Sequence, residues 1–435
     1  MIEIINLFKF FPKNLKFFVL NILLLFFSSI VELISLYLIV PLLDLVSGKE
    51  VIYFQIKFDI KAVLIAFLVM NIFNILLKFF TTFSIGKFSF FFGRDISIKV
   101  FEKINSKSYL NLKQITTSEL NNDIVIRSNN ISFNILLQSF NLINAFSLFL
   151  LVFVSIAIML KSIIVVIVVI GIGLFIALVS TYFKQKQKQN TKDINITEIK
   201  LLNEIFNYTK SVKEILLNQF FKTYIDSFRV YLTSQKLRLS YNNSYNLIPK
   251  LSFDFITTIL IFLIILNSYN QTNSDIFENL STIGFFVLAI QRLSPYFNGF
   301  FTAYQNIYAN LFHVKKINEI IYDLKDQEIC NKSEKIIFKN LIQFKDISFE
   351  YVNKFKILNK LNFKINKGDI VGIKGETGNG KSTLIEILMG VLKQSSGKIY
   401  VDSVEKNIYY NKSWFDKIAF VPQKVTLIND TILNN

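Results

Sequence analysis

The chain has 435 residues, a formal net charge of +17, one cysteine and one histidine. Its 52% apolar content and mean hydropathy of +0.44 exceed what a water-soluble globule of ordinary surface carries. Cys330 alone excludes an internal disulfide framework, and with His313 as the only histidine neither a His-based triad nor a Cys/His metal cluster is available.

The positive charge is mostly lysine, in a chain equally rich in Ile, Asn and Phe. No basic helix with interleaved base-stacking aromatics accompanies it, so composition bias and membrane topology account for it and no nucleic acid is expected as a partner. Lys9, Lys13 and Lys16 precede the first apolar run, which is too long and lacks the small-residue cleavage site of a secretory signal. That run covers Phe17 to Leu43, interrupted by Glu32 and ending near Pro41. Further runs follow at Ala62 to Thr82, Ile131 to Leu160, Ser162 to Phe183, Leu251 to Leu266, and from Ile283 onward, with Lys161 marking a tight outer turn. Each reaches or approaches the roughly 20 residues needed to cross a bilayer core, which predicts six spans. Bases crowd the segments after the second and fourth runs, whereas 267–279 holds Asp275 and Glu278 and no base. Positive-inside reasoning therefore puts both long segments and both termini in the cytoplasm. Low cysteine content and the lack of organelle targeting fit a bacterial inner membrane.

Those two basic segments are too long to be loops. Ile96 to Ile104 and Ile194 to Phe228 have helical spacing with charged faces, so the membrane helices are expected to continue into the cytoplasm as antiparallel hairpins. Their tips fall around Thr117 to Leu120 and around Glu204 to Thr209. The membrane part is expected over 1–325, a polar linker over 326–337, and a water-soluble domain over 338–435, where the period changes to two.

In that domain DIVGIKGETGNGKSTLIEILMGV carries the chemistry. The apolar run Ile370 to Ile373 reads as a short buried strand. The loop Gly375, Glu376, Thr377, Gly378, Asn379, Gly380, Lys381, Ser382, Thr383 then leads into an apolar-striped helix, giving G-x-x-x-x-G-K-[ST] in its strand–loop–helix setting. Glycines let backbone N–H groups turn inward around phosphate oxygens, and the helix points the positive end of its dipole at the same anion. Lys381 is expected to bridge the β- and γ-phosphates, and the Ser382 hydroxyl to ligate Mg²⁺. The chain is thus expected to bind a nucleoside triphosphate. KIYVD and IAFVP read as further strands.

Six spans with two long cytoplasmic hairpins followed by a P-loop domain resemble the ATP-binding cassette exporters in their half-transporter arrangement. The resemblance implies an all-α polytopic membrane domain of six long helices extending into the cytoplasm, followed by an incomplete α/β P-loop NTPase domain. It places Tyr351 of DISFEY where the family stacks an aromatic on adenine. It also makes FVPQKVTLINDTI the Q-loop region, with Gln423 touching Mg²⁺ and the attacking water as a catalytic residue. Ser382 and Gln423 would be the metal-contacting side chains, and ATP and Mg²⁺ the cofactors. The family's signature motif, acidic magnesium strand and switch histidine find no match before Asn435, so the expectation is a clipped sequence with negligible turnover and exposed apolar edges.

The resemblance further implies ATP-driven export or flipping of a lipid-linked or amphiphilic substrate by alternating access in a dimer, with a second copy or a related half-transporter as partner. The region FFVLAIQRLSPYFNGFFTAYQNIY is similar to that of lipid-linked oligosaccharide flippases. Arg292 either meets a substrate phosphate, snorkels to the interface or pairs within the bundle, and Glu32 either lines a cavity, pairs helices or sits at the interface. Other readings stay open: a multidrug, lipid or peptide exporter of the same family, an inert fragment that binds ATP without turnover, or a membrane-anchored P-loop kinase.

Overall fold

The computed structural model describes residues 2–46, 52–53, 56–57, 59–160, 163–271, 280–322, 334–351, 356–423 and 430–432. The expected outer turn at Lys161, the acidic loop with Asp275 and Glu278, and Cys330 lie outside them. The chain forms two compact units, one of residues 1–101 with 117–322, the other of 102–116 with 323–435.

The first unit is helical apart from one short hairpin, β1 (Ile52–Tyr53) with β2 (Ile56–Lys57). After α1 (Ile2–Phe10), a proline opens α2 (Pro12–Tyr37), where its missing N–H leaves no bond unmade. α3 (Ile39–Val46) continues after a break at Leu38, and α4 runs unbroken from Ile60 to Asn105. Helix resumes at α6 (Thr117–Asn121) and continues through a π-helical turn at Asn122–Ile126, α7 (Arg127–Asn130), a second π turn at Ile131–Leu136, and α8 (Leu137–Leu160). α9 (Ile163–Lys210), the short α10 (Val212–Asn218), α11 (Phe221–Gln271) and α12 (Leu280–Tyr322) complete the unit. At 1.5 Å per residue, α4, α9 and α11 reach about 69 to 77 Å, more than twice a hydrocarbon core of about 30 Å. The expectation that membrane helices run on past the bilayer thus agrees with their lengths.

Three segments among the described residues are long and apolar enough to cross a membrane, Pro12–Val46, Ile60–Asn105 and Thr117–Val152. α2 and α4 keep apolar side chains such as Phe17, Leu68, Val69, Phe79 and Phe80 exposed. A lipid-facing surface needs such a band, whereas a water-facing one would be destabilised by it. The chain is an integral membrane protein by these helices. Inside, Phe18, Phe88, Phe92 and Phe140 pack together across α2, α4 and α8, with ring centroids 5.0–6.2 Å apart. α4 comes so close to the second π turn that a Cβ on Gly93 would overlap the Ser132 hydroxyl.

Neither hairpin tip lies where the sequence placed it. The first is α5 (Tyr109–Gln114), which falls in the second unit, while Thr117 already begins the returning helix. The second runs through α10 and turns at Gln219, whose positive φ of 57° breaks the helix between α10 and α11.

The second unit carries an antiparallel sheet in the order β4-β3-β5-β6, from β3 (Leu341–Glu350), β4 (Lys356–Asn366), β5 (Ser396–Val401) and β6 (Val404–Glu405). On β3 the buried residues are Ile342 and Phe344, then Ile347 and Phe349. The phase slips by one because a bulge near Asp346, at φ 50°, shifts the register between Phe344 and Ile347. Gly397, at φ 95°, lies against that bulge, where a Cβ would meet the Asp346 carbonyl oxygen at 2.4 Å. With α13 (Lys381–Leu388) and α14 (Lys412–Phe415), the sheet encloses a core centred on Phe344, Ile347, Ile387, Ile399 and Trp414.

Two expected strands are absent. Ile370 to Ile373 forms no regular element and pairs with no strand among the described residues, with Ile370 fully exposed and Val371 and Ile373 also at the surface. IAFVP is likewise outside the sheet, with Phe420 and Val421 exposed. Among the described residues the regular sheet is antiparallel and packs with α13, which fits part of a nucleotide-binding domain.

Candidate nucleotide-binding site

The phosphate loop begins at Gly375 and ends on α13. Gly378 and Gly380 take φ values of 93° and 78°, which residues with a Cβ avoid, and Gly380 caps the helix. A Cβ at Gly380 would also meet the Ile357 side chain at 2.6 Å. The first intrahelical bond runs from Leu384 N to Gly380 O at 2.9 Å. The N–H groups of Lys381, Ser382 and Thr383 are therefore the orphan donors of the helix start, next to the exposed loop 375–379. Lys381 Nζ donates to the carbonyls of Gly375, at 2.5 Å, and Glu376, at 2.7 Å. Its ammonium thus folds over the loop, where an arriving phosphate would compete for it. Ser382 is exposed at the mouth of the loop. Three free N–H groups, one ammonium and a free hydroxyl suit a polyphosphate and its divalent cation.

Tyr351 stands half-buried at the end of β3, edge-on to Phe349 with ring centroids 4.9 Å apart. Because Glu350 pairs with Lys356, and Gly380 abuts Ile357 one residue further on, Tyr351 and the loop sit at the same end of the β3–β4 hairpin. The fold brings these two features together. Gln423 is exposed on the irregular segment after Phe420, and no contact among the described residues joins it to the loop.

The inner side of α13 holds a residue that the sequence reading passed over. Glu386, one turn beyond Ser382, is buried, and its Oε1 accepts hydrogen bonds from Tyr109 Oη at 3.0 Å and Lys113 Nζ at 3.2 Å. The Tyr109 N–H also donates to Tyr410 Oη at 2.6 Å, and Leu110 packs on the sheet core. Burial and the Glu386 carboxylate raise the Tyr109 pKa above its ordinary value. Burial opposes the Lys113 charge, yet Glu386 raises its pKa overall. α5 is thereby fastened to the phosphate-loop helix itself. A carboxylate among Leu384, Ile387 and Leu388 was the available signal, since a charge on an apolar helix face calls for a partner.

In the first unit Glu32 on α2 accepts from Lys78 Nζ on α4 and Tyr296 Oη on α12, each at 2.6 Å. Arg292 donates to Ser35 Oγ at 2.9 Å and Asn71 Oδ1 at 3.0 Å. Of the alternatives for these two charges, pairing between helices is the one observed. His313 is buried on α12 with Nδ1 3.4 Å from Arg127. Burial, then the Arg127 charge, pushes its pKa down to about 3, so the ring is neutral.

Residues 358–435 match the ABC transporter family. A putative ABC transporter ATP-binding protein of Mycoplasma genitalium is 24% identical over 368 residues, covering 78% of this chain and 60% of that protein. An ATP-dependent lipid A-core flippase of Wigglesworthia glossinidia brevipalpis is 34% identical over 116 residues, 26% of this chain and 20% of that one. The fold is that of an ABC exporter. The structure of a bacterial Atm1-family ABC exporter with ATP bound superposes with a TM-score of 0.77 at 14% identity, over 96% of this chain and 73% of that one. The chain thus spans 60% of the length of the Mycoplasma relative, and 20% of that of the flippase. Helices fit for a membrane thus lie in one unit and the segment matching the ABC transporter family in the other.

Proposed function

We propose that the whole protein is an ATP-driven exporter or flippase that moves a lipid-linked or amphiphilic substrate by alternating access, as a dimer of this chain or with a related half-transporter. The observation that carries this reading is the glycine-turned phosphate loop on α13, fastened through Glu386 to α5. The Wigglesworthia relative, named as a lipid A-core flippase, supports a lipid-linked substrate. In this reading residues 1–325 form the transmembrane domain with six spans and cytoplasmic termini, 326–337 the linker, and 338–435 the front part of the ATP-binding cassette. A bacterial inner membrane is the setting.

ATP is the substrate of the cassette. The N–H groups of Lys381, Ser382 and Thr383 and the Lys381 ammonium would take the β- and γ-phosphates, with Glu376, Thr377 and Asn379 supplying loop backbone. Tyr351 would stack on adenine. Ser382, and Gln423 once brought up to the loop, would hold Mg²⁺, which neutralises charge developing on the phosphates. Gln423 would also orient the attacking water. α5 follows α4 in the chain after the turn at 106–108.

The reading is tested with the full-length protein in proteoliposomes, following a fluorescent lipid analogue by dithionite quenching. ATP should speed its movement and Lys381→Ala should abolish the ATP-dependent part. Movement that is insensitive to ATP would overturn the reading.

A further inference from the structure

The first unit contains a cavity of about 310 Å³ whose lining residues are mostly asparagine and glutamine. Four helical segments contribute, each at helical spacing. α9 presents Gln187, Thr191, Asn195 and Glu198, spaced four, four and three apart. α11 adds Asn242, Asn243 and Asn246, and α12 adds Asn306, Asn310 and His313. Asn130 and Asn134 face it from the segment around the second π turn. Chance enrichment in asparagine would scatter these residues around the helices. Here four stripes converge on one space, beginning a turn beyond the apolar run that ends at Phe183.

The wall is partly knit. Gln187 Nε2 donates to Asn246 Oδ1 at 3.0 Å, Asn134 Nδ2 to Asn130 Oδ1 at 2.9 Å, and Asn242 Nδ2 to Thr191 Oγ1 at 3.2 Å. It is not complete. Gln187 is only 2% exposed, yet its Oε1 has no hydrogen-bond partner among the described residues. A buried amide oxygen left open costs on the order of 1–3 kcal/mol, and an ordered water inside the wall would satisfy it.

We infer that this cavity binds an uncharged, hydroxyl- or acetamide-bearing group, the chemistry of a neutral sugar. Carboxamides offer donors and acceptors side by side, which matches a ring carrying both on successive carbons. Among the described residues no lysine or arginine lines the space directly, Arg127 standing behind His313 at 3.4 Å, so a phosphate or carboxylate would be desolvated without a counter-charge in contact with it. One carboxylate, Glu198, faces it, and burial raises its pKa, which weakens any hold on a cation. Ile194 and Leu239 are the aliphatic side chains of the wall. The volume would hold about ten waters and lies at the lower end of small-molecule sites, ample for one or two sugar rings. This cavity is separate from the phosphate loop, and binding there stands whether or not ATP drives movement.

The test uses the full-length protein in lipid nanodiscs without nucleotide, with N,N′-diacetylchitobiose as probe and glucose 6-phosphate as the charged comparison, read by calorimetry. Saturable binding of the neutral disaccharide is expected, with the phosphate sugar at least tenfold weaker. Asn242→Leu with Asn310→Leu should weaken the disaccharide roughly tenfold, as the loss of two hydrogen bonds implies. Should that double variant unfold on heating well before the parent, Asn306→Cys serves instead. Its alkylation by a small maleimide should slow at least threefold at saturating disaccharide and not with the phosphate sugar. No saturable binding, equal affinity for both sugars, or unchanged alkylation would each overturn the inference, the first meaning that the cavity holds water alone.

Discussion

The contact between α5 and Glu386 gives the sharpest test of how the phosphate loop is supported. Tyr109→Phe deletes one hydroxyl and leaves the ring, the Tyr109 N–H bond to Tyr410 and the Leu110 packing in place. The bond removed ends on a carboxylate whose side chain is 12% exposed. Hydrogen bonds to charged groups contribute about 1.5–3 kcal/mol, and partial exposure of the site argues for the lower end. Lys113 reaches the same oxygen, but its side chain is 53% exposed, so water screens it and its contribution falls below about 0.5 kcal/mol. The assay is hydrogen exchange of the peptide covering 106–116 in the full-length protein, read by mass spectrometry at pH 7. Tyr109→Phe should speed its protected exchange about tenfold, since 1.4 kcal/mol is one decade, and Lys113→Met less than threefold. In a Glu386→Ala background Tyr109→Phe should add almost nothing, because the partner is already gone. An exchange rate unchanged within twofold, or additive effects in the double variant, would refute the claim that this hydroxyl fastens α5.

Above pH 10 the same peptide should lose protection beyond the intrinsic rise in exchange: the folded pKa of Tyr109 is raised, so its stabilising effect is full below the unfolded value and is lost as pH climbs through the folded one. His313 works in the opposite window. Its pKa is lowered to about 3, so the stability it contributes is present above pH 6.5 and drains away as pH falls toward 3. The thermal midpoint should fall between pH 7 and 4, and His313→Gln should flatten that slope. Gly397→Ala should destabilise the second unit by about 2–4 kcal/mol, since its Cβ would meet backbone of Asp346 at a left-handed φ, and faster exchange in β3 and β5 would register it. Gly380→Ala and Lys381→Ala should each weaken binding of a fluorescent ATP analogue at least tenfold, measured by anisotropy.

What the sequence made legible was the local chemistry. The phosphate loop could be read residue by residue, because G-x-x-x-x-G-K-[ST] fixes backbone geometry within eight positions and depends on no distant partner. The β3–β4 hairpin and β5 followed from their period of two. The failures share one cause, dependence on partners remote in the chain. Ile370 to Ile373 has the composition of a buried strand, yet a strand is a relation between segments, and none of the described residues pairs with it. The tip at Tyr109–Gln114 was missed by eight residues because helix and turn share polar composition there; what decides is that Tyr109 and Lys113 meet Glu386, 273–277 residues away. The slip in β3 was invisible for the same reason, since Asp346 and Gly397 define the bulge jointly.

Burial of polar groups in the first unit also separates two uses of polarity. Glu32, Lys78, Tyr296 and Arg292 lie among apolar helices, where an unpaired charge would be costly. Each finds a partner on another helix, so α2, α4 and α12 are cross-braced at one level. Glu32 spends both carboxylate oxygens in this brace, and Arg292 binds neutral oxygens of Ser35 and Asn71. Groups so engaged have little left for a ligand. The space beside them is accordingly small, about 10 Å³ between Glu32, Leu148 and Arg292. The amide-lined cavity presents the opposite case, wide and with Gln187 Oε1 unspent. Where a membrane protein satisfies its buried polar groups internally, they hold helices together.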